Sequence, residues 1–251
     1  MKAGNTDAAG RLLLEFNPMP AITGRVCPTF CEPECNRGAY DAPVAVRCIE
    51  RALGDVILDR PAEFFAAPEE ESGKSVAVIG SGPAGLAAAY YCRRAGHRVT
   101  VFEKTAQAGG MLAHAIPPYR LPKEVVRRQI AALRDMGIGF QLNADVGGDL
   151  TVDGLSSRFD AVFLAAGAWK EKKLGIEGER LALSGLAFLT AVNAGDRRMP
   201  GHSVAVVGGG NVALDVARTL VRLGARPVVL YRRGREEMPA QRREVEKAGI
   251  F

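Results

Sequence analysis

Two short, wholly apolar runs, each ending in a glycine turn, set the pattern of this chain. Residues 76–79 (Val-Ala-Val-Ile) run into Gly80-x-Gly82-x-x-Gly85, and residues 86–94 then read as a helix, followed by a second β run at 97–102. The succession recurs: residues 204–207 run into Gly208-Gly209-Gly210-Asn211-Val212-Ala213, followed by a helix over 214–223 and a strand over 227–230. Other elements can be read between and around these copies. Residues 8–16 form a short helix with Leu12, Leu13 and Phe16 on its apolar side, ended by Pro18 and Pro20. A second helix covers 44–53, with Val44, Ile49 and Leu53 apolar. Pro122 opens a helix on which Val126, Ile130 and Leu133 repeat at helical spacing, and Gly137 stops it. Strands follow at 138–142 and 159–165, and a helix at 185–193. Residues 22–38 and 106–124 have no period, 55–68 reads as a connector, and 69–73 as a solvated hinge.

The strand, glycine turn and helix together predict a dinucleotide-binding fold. The glycines give a tight turn, close backbone approach to a pyrophosphate, and close helix–strand packing. Pro83 and Ala84 complete the first turn, and the phosphates would face the unpaired N–H groups of the helix start. The second strand of the first copy ends on Glu103, close to the spacing of about 20 residues at which a carboxylate accepts from an adenosine ribose. In the second copy Tyr231-Arg232-Arg233 stands where the first has Phe102-Glu103-Lys104. A carboxylate repels a 2′-phosphate, whereas two guanidiniums offer it charge-assisted hydrogen bonds, so the second site reads as built for NADPH rather than NADH. The alternative is that Arg232 and Arg233 are surface charges beside Glu236 and Glu237. Small residues at Ala166-Gly167-Ala168 leave room for a dinucleotide or flavin to approach the backbone.

Composition adds a little. An apolar share of 47% over 251 residues is ordinary for a globular protein of one or two domains. No run approaches a membrane span, the start lacks a signal peptide's apolar stretch, and a cytoplasmic location is the default. The net charge of +5 comes from scattered arginines and suits phosphorylated cofactors or an acidic partner; nothing reads as a nucleic-acid module.

The five cysteines change the picture more. Cys27-x3-Cys31-x3-Cys35 places three thiolates in one loop that has little else to order it, which suggests metal or redox chemistry. The spacing fits a [4Fe–4S] cluster better than a zinc knuckle, with zinc or free thiols as the alternatives. A fourth ligand would come from Cys48 or Glu50, two apart on one helix and so not on the same face. Cys92 is packing. No pair has the C-x-x-C spacing of a dithiol redox centre.

With these stretches assembled, the chain resembles the glutamate synthase small-subunit family, which includes the amino-terminal part of dihydropyrimidine dehydrogenase. NPMPAITGRVCPTFCEPEC, the two glycine-turn segments, GGMLAHAIPPYRLPKEVV, FDAVFLAAGA and YRRGREEMPA carry the likeness. It implies an α/β architecture. A mostly helical iron–sulfur region (1–72) precedes an FAD-binding Rossmann-like domain (73–195), with an NAD(P)H-binding Rossmann-like domain (196–251) inserted into it. It implies Gly80, Gly82 and Gly85 at the FAD pyrophosphate, Glu103 and Lys104 at its ribose end, and Gly110, Met111 and Arg120 along the flavin, with Ala166 and Gly167 close by. Gly208, Gly210, Asn211 and Ala213 would take the NADPH pyrophosphate, with Arg232 and Arg233 at the 2′-phosphate. Cys27, Cys31 and Cys35 match cluster ligands, and the family's non-cysteine ligand favours Glu50 over Cys48.

The resemblance further implies that the chain should return after the second fold to complete the first. The sequence stops at Phe251, so roughly 150–200 residues are expected elsewhere on domain-size grounds, as a second chain or as the rest of a longer gene. The expected function is an electron relay between NADPH, FAD, the cluster and a partner, either another oxidoreductase subunit or a ferredoxin-like carrier. The alternatives are a truncated scaffold subunit retaining a cluster, or a reductase of another acceptor.

Overall fold

A computed structural model describes residues 4–171, 173 and 175–248. The chain divides into two compact units, residues 1–113 with 119–167, and residues 114–118 with 168–251.

The first unit opens with helices α1 (Thr6–Phe16), α2 (Pro20–Val26), α3 (Val46–Asp59) and α4 (Pro61–Phe64). Asn5 caps α1 by accepting from the Ala8 N–H at 2.9 Å. The helix buries Gly10 and Leu14, while Leu12 and Phe16 stay 58% and 79% exposed, the reverse of the expected face. Gly10 is the cause: a Cβ there would lie 2.9 Å from the Phe64 ring, so its bare backbone is the side that approaches the core. The start of the supposed loop at 22–38 is helical. Pro20, expected to end one helix, occupies the first turn of the next, where its missing N–H costs nothing. Helices α2 and α3 then cross backbone to backbone. A Cβ on Gly24 would fall 2.4 Å from Arg51 N, and one on Gly54 2.1 Å from Ala21 N. The expected connector is also ordered: residues 55–59 continue α3, and Ile57, Leu58, Phe64 and Phe65 are buried.

Then follow β1 (Ser75–Ile79), α5 (Pro83–Arg94), β2 (Arg98–Phe102), α6 (Met111–His114), α7 (Lys123–Asp135), β3 (Gly139–Gln141), α8 (Val152–Ser156) and β4 (Ala161–Leu164). The four strands are parallel in the order β3-β2-β1-β4, with Ile79 beside Phe102 on one side and Leu164 on the other. The chain steps outward from β1 to β2 and β3 and then returns to the other side of β1 as β4, so the order reverses at the carboxyl ends of β1 and β4. Ligands of open α/β sheets bind at that switch point. The hinge at 69–73 is pinned rather than merely solvated. Buried Arg93 donates to both Glu71 oxygens at 2.6 and 2.9 Å and to the Met136 carbonyl at 3.0 Å, and Ser72 N–H donates to Gly96 O at 2.8 Å. Asp160 latches β4 to β1 by accepting from Ser75 N–H at 2.8 Å, Ser75 Oγ at 3.0 Å and Lys74 Nζ at 3.1 Å.

The second unit contains α9 (Gly185–Asn193), β5 (Ser203–Val207), α10 (Asn211–Leu223), β6 (Arg226–Leu230) and α11 (Arg242–Ala248). Parallel strands β5 and β6 pack Val204, Val206 and Val229 against Leu189, Ala217 and Leu220 of the helices. On the opposite face Val207, Val228 and Leu230 are exposed. Asn193 at the end of α9 donates through Nδ2 to the carbonyls of His114 (2.8 Å) and Ile116 (3.2 Å), tying the short stretch 114–118 into this unit.

Replacing Arg93 by Leu leaves the Met136 carbonyl without its buried donor and is expected to cost about 1–3 kcal/mol, read as a lower urea midpoint. The Asp160 carboxyl is lowered to about 2 by Ser75 N–H and by the Lys74 and Ser75 side chains. Its contribution is therefore complete above the ordinary carboxylate pKa and is lost as pH falls through about 2. Acid unfolding of Asp160→Asn should show a shallower fall over that window than the parent protein.

Candidate functional site

The first glycine turn sits at the switch point, and added Cβ atoms separate its glycines by role. Gly80 has φ +100°, and a Cβ there would meet the Ala165 carbonyl at 2.3 Å. One on Gly85 would lie 1.9 Å from the Gly80 carbonyl, so α5 is pressed directly on the turn. A Cβ on Gly82 would meet nothing within 4 Å; its backbone faces open space at the start of α5, beside exposed Pro83 and Ala84. That is the arrangement a pyrophosphate requires: open N–H groups at a helix N-terminus with no side chain in the way. Gly110 closes on it from the side, its own Cβ position 2.8 Å from Gly82 Cα, and Met111 follows at the start of α6. Ala166 and exposed Gly167 (φ +74°) border β4, and Lys104 is exposed. Arg120 is half-buried and engaged by neighbouring groups.

Glu103 is buried at the end of β2. Its Oε2 accepts from Ser81 N–H (3.1 Å) and Ser81 Oγ (2.5 Å), and its Oε1 from Thr105 N–H (2.9 Å) and Thr105 Oγ1 (2.8 Å). Burial opposes ionisation, but these hydrogen bonds outweigh it and hold the carboxyl below its ordinary range. The sequence reading missed Ser81 and Thr105; a hydroxyl inside the G-x-G turn and another two residues past Glu103 were the available signals. It also missed Lys123, whose Nζ donates to the Leu112 carbonyl at 2.9 Å and which burial lowers to about 8.

The second turn repeats the logic. Gly208 has φ +131° and donates its N–H to the Leu230 carbonyl at 2.9 Å; a Cβ on Gly209 would be 2.7 Å from the Tyr231 ring, and one on Gly210 meets nothing within 4 Å. Ala213 is buried on the turn side of α10. Asn211 Oδ1 accepts from Gln241 N–H at 3.0 Å, anchoring the stretch that follows β6. Arg232 and Arg233 are both exposed, and neither has a hydrogen bond or ion pair among the described residues. The nearby carboxylates are turned elsewhere: Glu237 accepts from Gly234 N–H at 3.0 Å, and Glu236 faces Arg242 at 3.8 Å.

Cys27 caps the end of α2, and Cys35 precedes the short helical turn Asn36–Ala39. Backbone N–H groups of Val44 and Arg37, then Gly38, lower the Cys35 thiol below its ordinary range, with the Arg37 charge assisting. A thiol so placed favours the thiolate, the form that ligates metal. The soft donor set therefore fits an iron–sulfur cluster in kind. It is not gathered, however: among the described residues no three His, Cys, Asp or Glu side chains converge as a metal site. Cys31 and Cys48 are exposed. Glu50 lies at the joint of α1, α2 and α3, accepting from Asn17 Nδ2 at 3.1 Å and Thr23 Oγ1 at 2.8 Å.

A parallel sheet with a glycine turn at its switch point, followed by a second strand–turn–helix of the same form, defines a doubled α/β fold of the dinucleotide-binding type. Residues 74–248 match the pyridine nucleotide-disulphide oxidoreductase family, and the chain belongs to it. Residues 1–61 match the family described as dihydropyrimidine dehydrogenase domain II, 4Fe-4S cluster. The chain is 40% identical to the NADP(+)-dependent formate dehydrogenase subunit beta of Moorella thermoacetica, over 99% of this chain and 39% of that protein. It is 39% identical to the NADPH-Fe(3+) oxidoreductase subunit beta of Geobacter sulfurreducens, over 92% and 36%. It is 38% identical to the glutamate synthase [NADPH] small chain of Escherichia coli, over 98% and 55%. The chain thus spans between about a third and just over half of the length of these relatives. Among solved structures, FprA from Mycobacterium tuberculosis is similar at a TM-score of 0.61 and 25% identity, covering 70% of this chain and 48% of that one. The chain is thus a member of the pyridine nucleotide-disulphide oxidoreductase family and a relative of the glutamate synthase small chain.

The contrast between the glycines gives a direct check. Gly82→Ala should keep the fold, with thermal unfolding within a few degrees of the parent, and lose dinucleotide affinity. Gly85→Ala, forced against the Gly80 carbonyl, should lower the melting temperature by roughly 5 °C or more.

Proposed function

We propose that this chain is the NADPH-linked flavin and iron–sulfur part of an electron-transfer enzyme, passing electrons between NADPH, FAD and a partner subunit. The observation that carries the reading is the pair of open glycine turns followed by opposite charge signs: Glu103 after the first, Arg232 and Arg233 after the second. FAD, NADPH and a [4Fe–4S] cluster, when bound, supply hydride and single-electron chemistry; the chain's part is to bind and orient them.

The turn from Gly80 through Pro83 and Ala84 to Gly85 takes the FAD pyrophosphate, with Glu103 and Lys104 at the ribose. Gly110, Met111, Arg120, Ala166 and Gly167 line the flavin side. Gly208, Gly210, Asn211 and Ala213 take the NADPH pyrophosphate. The unpaired guanidiniums of Arg232 and Arg233 select its 2′-phosphate. Cys27, Cys31 and Cys35 ligate the cluster, with Glu50 or Cys48 as the fourth ligand. Asn17 donates to one oxygen of Glu50 and Thr23 to the other, which leaves each oxygen a further lone pair for a metal.

Relatives named as beta subunits and a small chain support an assembly with another subunit. So do the apolar side chains left exposed on β4 (Phe163, Leu164) and on β5–β6 (Val207, Val228, Leu230). Parallel sheets are ordinarily covered on both faces, so a further polypeptide layer completes the fold here. Free thiols suit a reducing cytoplasm, and among the described residues no helix is long and apolar enough to cross a membrane.

An anaerobic visible spectrum of the protein purified with its natural partners tests the reading. Flavin absorption that bleaches with NADPH in preference to NADH, over a broad iron–sulfur background, is expected. Replacing Arg232 and Arg233 by Ala should weaken NADPH binding about 10- to 100-fold and leave NADH little changed. A preparation without flavin overturns the reading.

A further inference from the structure

The turn at Gly109–Gly110 reaches the first glycine turn from the side, and α7 holds it there from behind. Gly110 stands where a Cβ would lie 2.8 Å from Gly82 Cα and 3.2 Å from Gly82 N, so backbone packs on backbone at the residue left open for a pyrophosphate. Gly109 (φ +126°) is as tightly placed: a Cβ there would meet Ala113 Cβ at 2.9 Å and Val126 Cγ1 of α7 at 3.1 Å. The N–H groups of Leu112 and Ala113 donate to Gly109 O and Gly110 O, both at 3.1 Å, which closes the turn on itself.

Helix α6 is a single turn with no interior to satisfy its carbonyls. Residues 114–118 belong to the second unit, so the chain leaves the first unit directly after Ala113 and is back only at Tyr119. Lys123, the first residue of α7, closes that excursion at its base: Nζ donates to the Leu112 carbonyl at 2.9 Å. The side chain is half-buried, yet burial lowers its ammonium only to about 8, so the bond at neutral pH is charge-assisted. Lys123 and Val126 thus grip the turn at two points, one polar and one apolar, and Gly110 passes that grip to Gly82.

We infer that Lys123 is a positioning residue of the first nucleotide site: by holding the Leu112 carbonyl it keeps the Gly109–Gly110 turn seated on Gly82, and with it the backbone that a diphosphate must approach. The inference rests on the reading that the first glycine turn binds a dinucleotide. It adds a residue outside both glycine motifs that acts through contiguous contacts and not on the ligand.

Calorimetric titration of the full chain with ADP, read beside amide hydrogen exchange, decides it. The heat that disappears in Gly82→Ala is assigned to the first turn. Lys123→Met keeps the length of the stem and removes the charge and its hydrogen bond. It should weaken ADP binding about tenfold, as loss of a hydrogen bond from a charged group implies, and speed exchange at the Leu112 and Ala113 amides. Ala165, whose N–H donates to Ile79 O in the neighbouring strand, should exchange as before. The loss of affinity should be the same at low and high salt, because Lys123 acts through the turn. In the parent, saturating ADP should slow exchange at Leu112 and Ala113, a readout that stands whether or not Lys123→Met folds. Unchanged ADP affinity in Lys123→Met, or no slowing of those amides in the parent, overturns the positioning role and leaves the first turn as a dinucleotide site. Equal acceleration at Ala165 marks general destabilisation and overturns it too. A loss that high salt abolishes, with exchange unaltered, makes Lys123 a phosphate contact and likewise overturns the inference. Absence of ADP binding at the first turn in the parent overturns the site reading and the inference with it.

Discussion

The carbonyl of Gly80 occupies the place where a side chain on Gly85 would begin, 1.9 Å from the would-be Cβ. That contact sets the depth at which α5 seats against β1. With the helix so low, the N–H groups of its first turn come forward over the carboxyl ends of β1 and β4, and the open backbone of Gly82 becomes reachable. Gly80 itself is pressed on its other side against Ala165, so the turn also fixes how closely β4 approaches β1. Missing methyl groups at neighbouring glycines thus govern helix seating (Gly85), strand spacing (Gly80) and ligand access (Gly82) together.

What could be read from the sequence follows the range of the interaction responsible. The glycine turns were legible because their requirements are local: a positive φ, a close approach, an open face. The helix at 185–193 was placed on its bounds for the same reason, with Ser184 accepting from the Ala187 N–H at its start. The face of α1 was not legible. Gly10 carries no hydrophobic signal, and only the distant ring of Phe64 gives its bareness a purpose. The helix α2 was hidden by prolines that read as breakers and by a crossing with α3 that no local pattern announces. At the cysteines only the donor set is written locally: three thiols in one loop announce soft ligands but do not by themselves bring them together. That Glu103 follows the end of β2 could be read from the chain; its hydroxyl donors belong to other turns and come together only in three dimensions.

The two strand–turn–helix copies show how little of burial is written in a strand itself. β1 (Ser-Val-Ala-Val-Ile) is buried at every position, whereas β5 (Ser-Val-Ala-Val-Val) buries only Val206 fully. Their sequences are nearly the same. β1 is flanked by β2 and β4 within a four-stranded sheet, whereas β5 has one strand neighbour among the described residues. The apolar residues of β5 and β6 are composed for a covering that the described residues do not provide.

Asn193 gives the second unit an unusual pedigree. By gripping the carbonyls of His114 and Ile116 it claims a few residues from the middle of the first unit's sequence, so the backbone passes between units after residue 113, after 118 and after 167. A shuffled gene that took residues 168–251 alone would inherit an α9 whose terminal amide had lost both its acceptors. The second unit is thus poorly suited to travel between proteins as a cassette, and recombination at that seam would favour exchanging the two units as one piece.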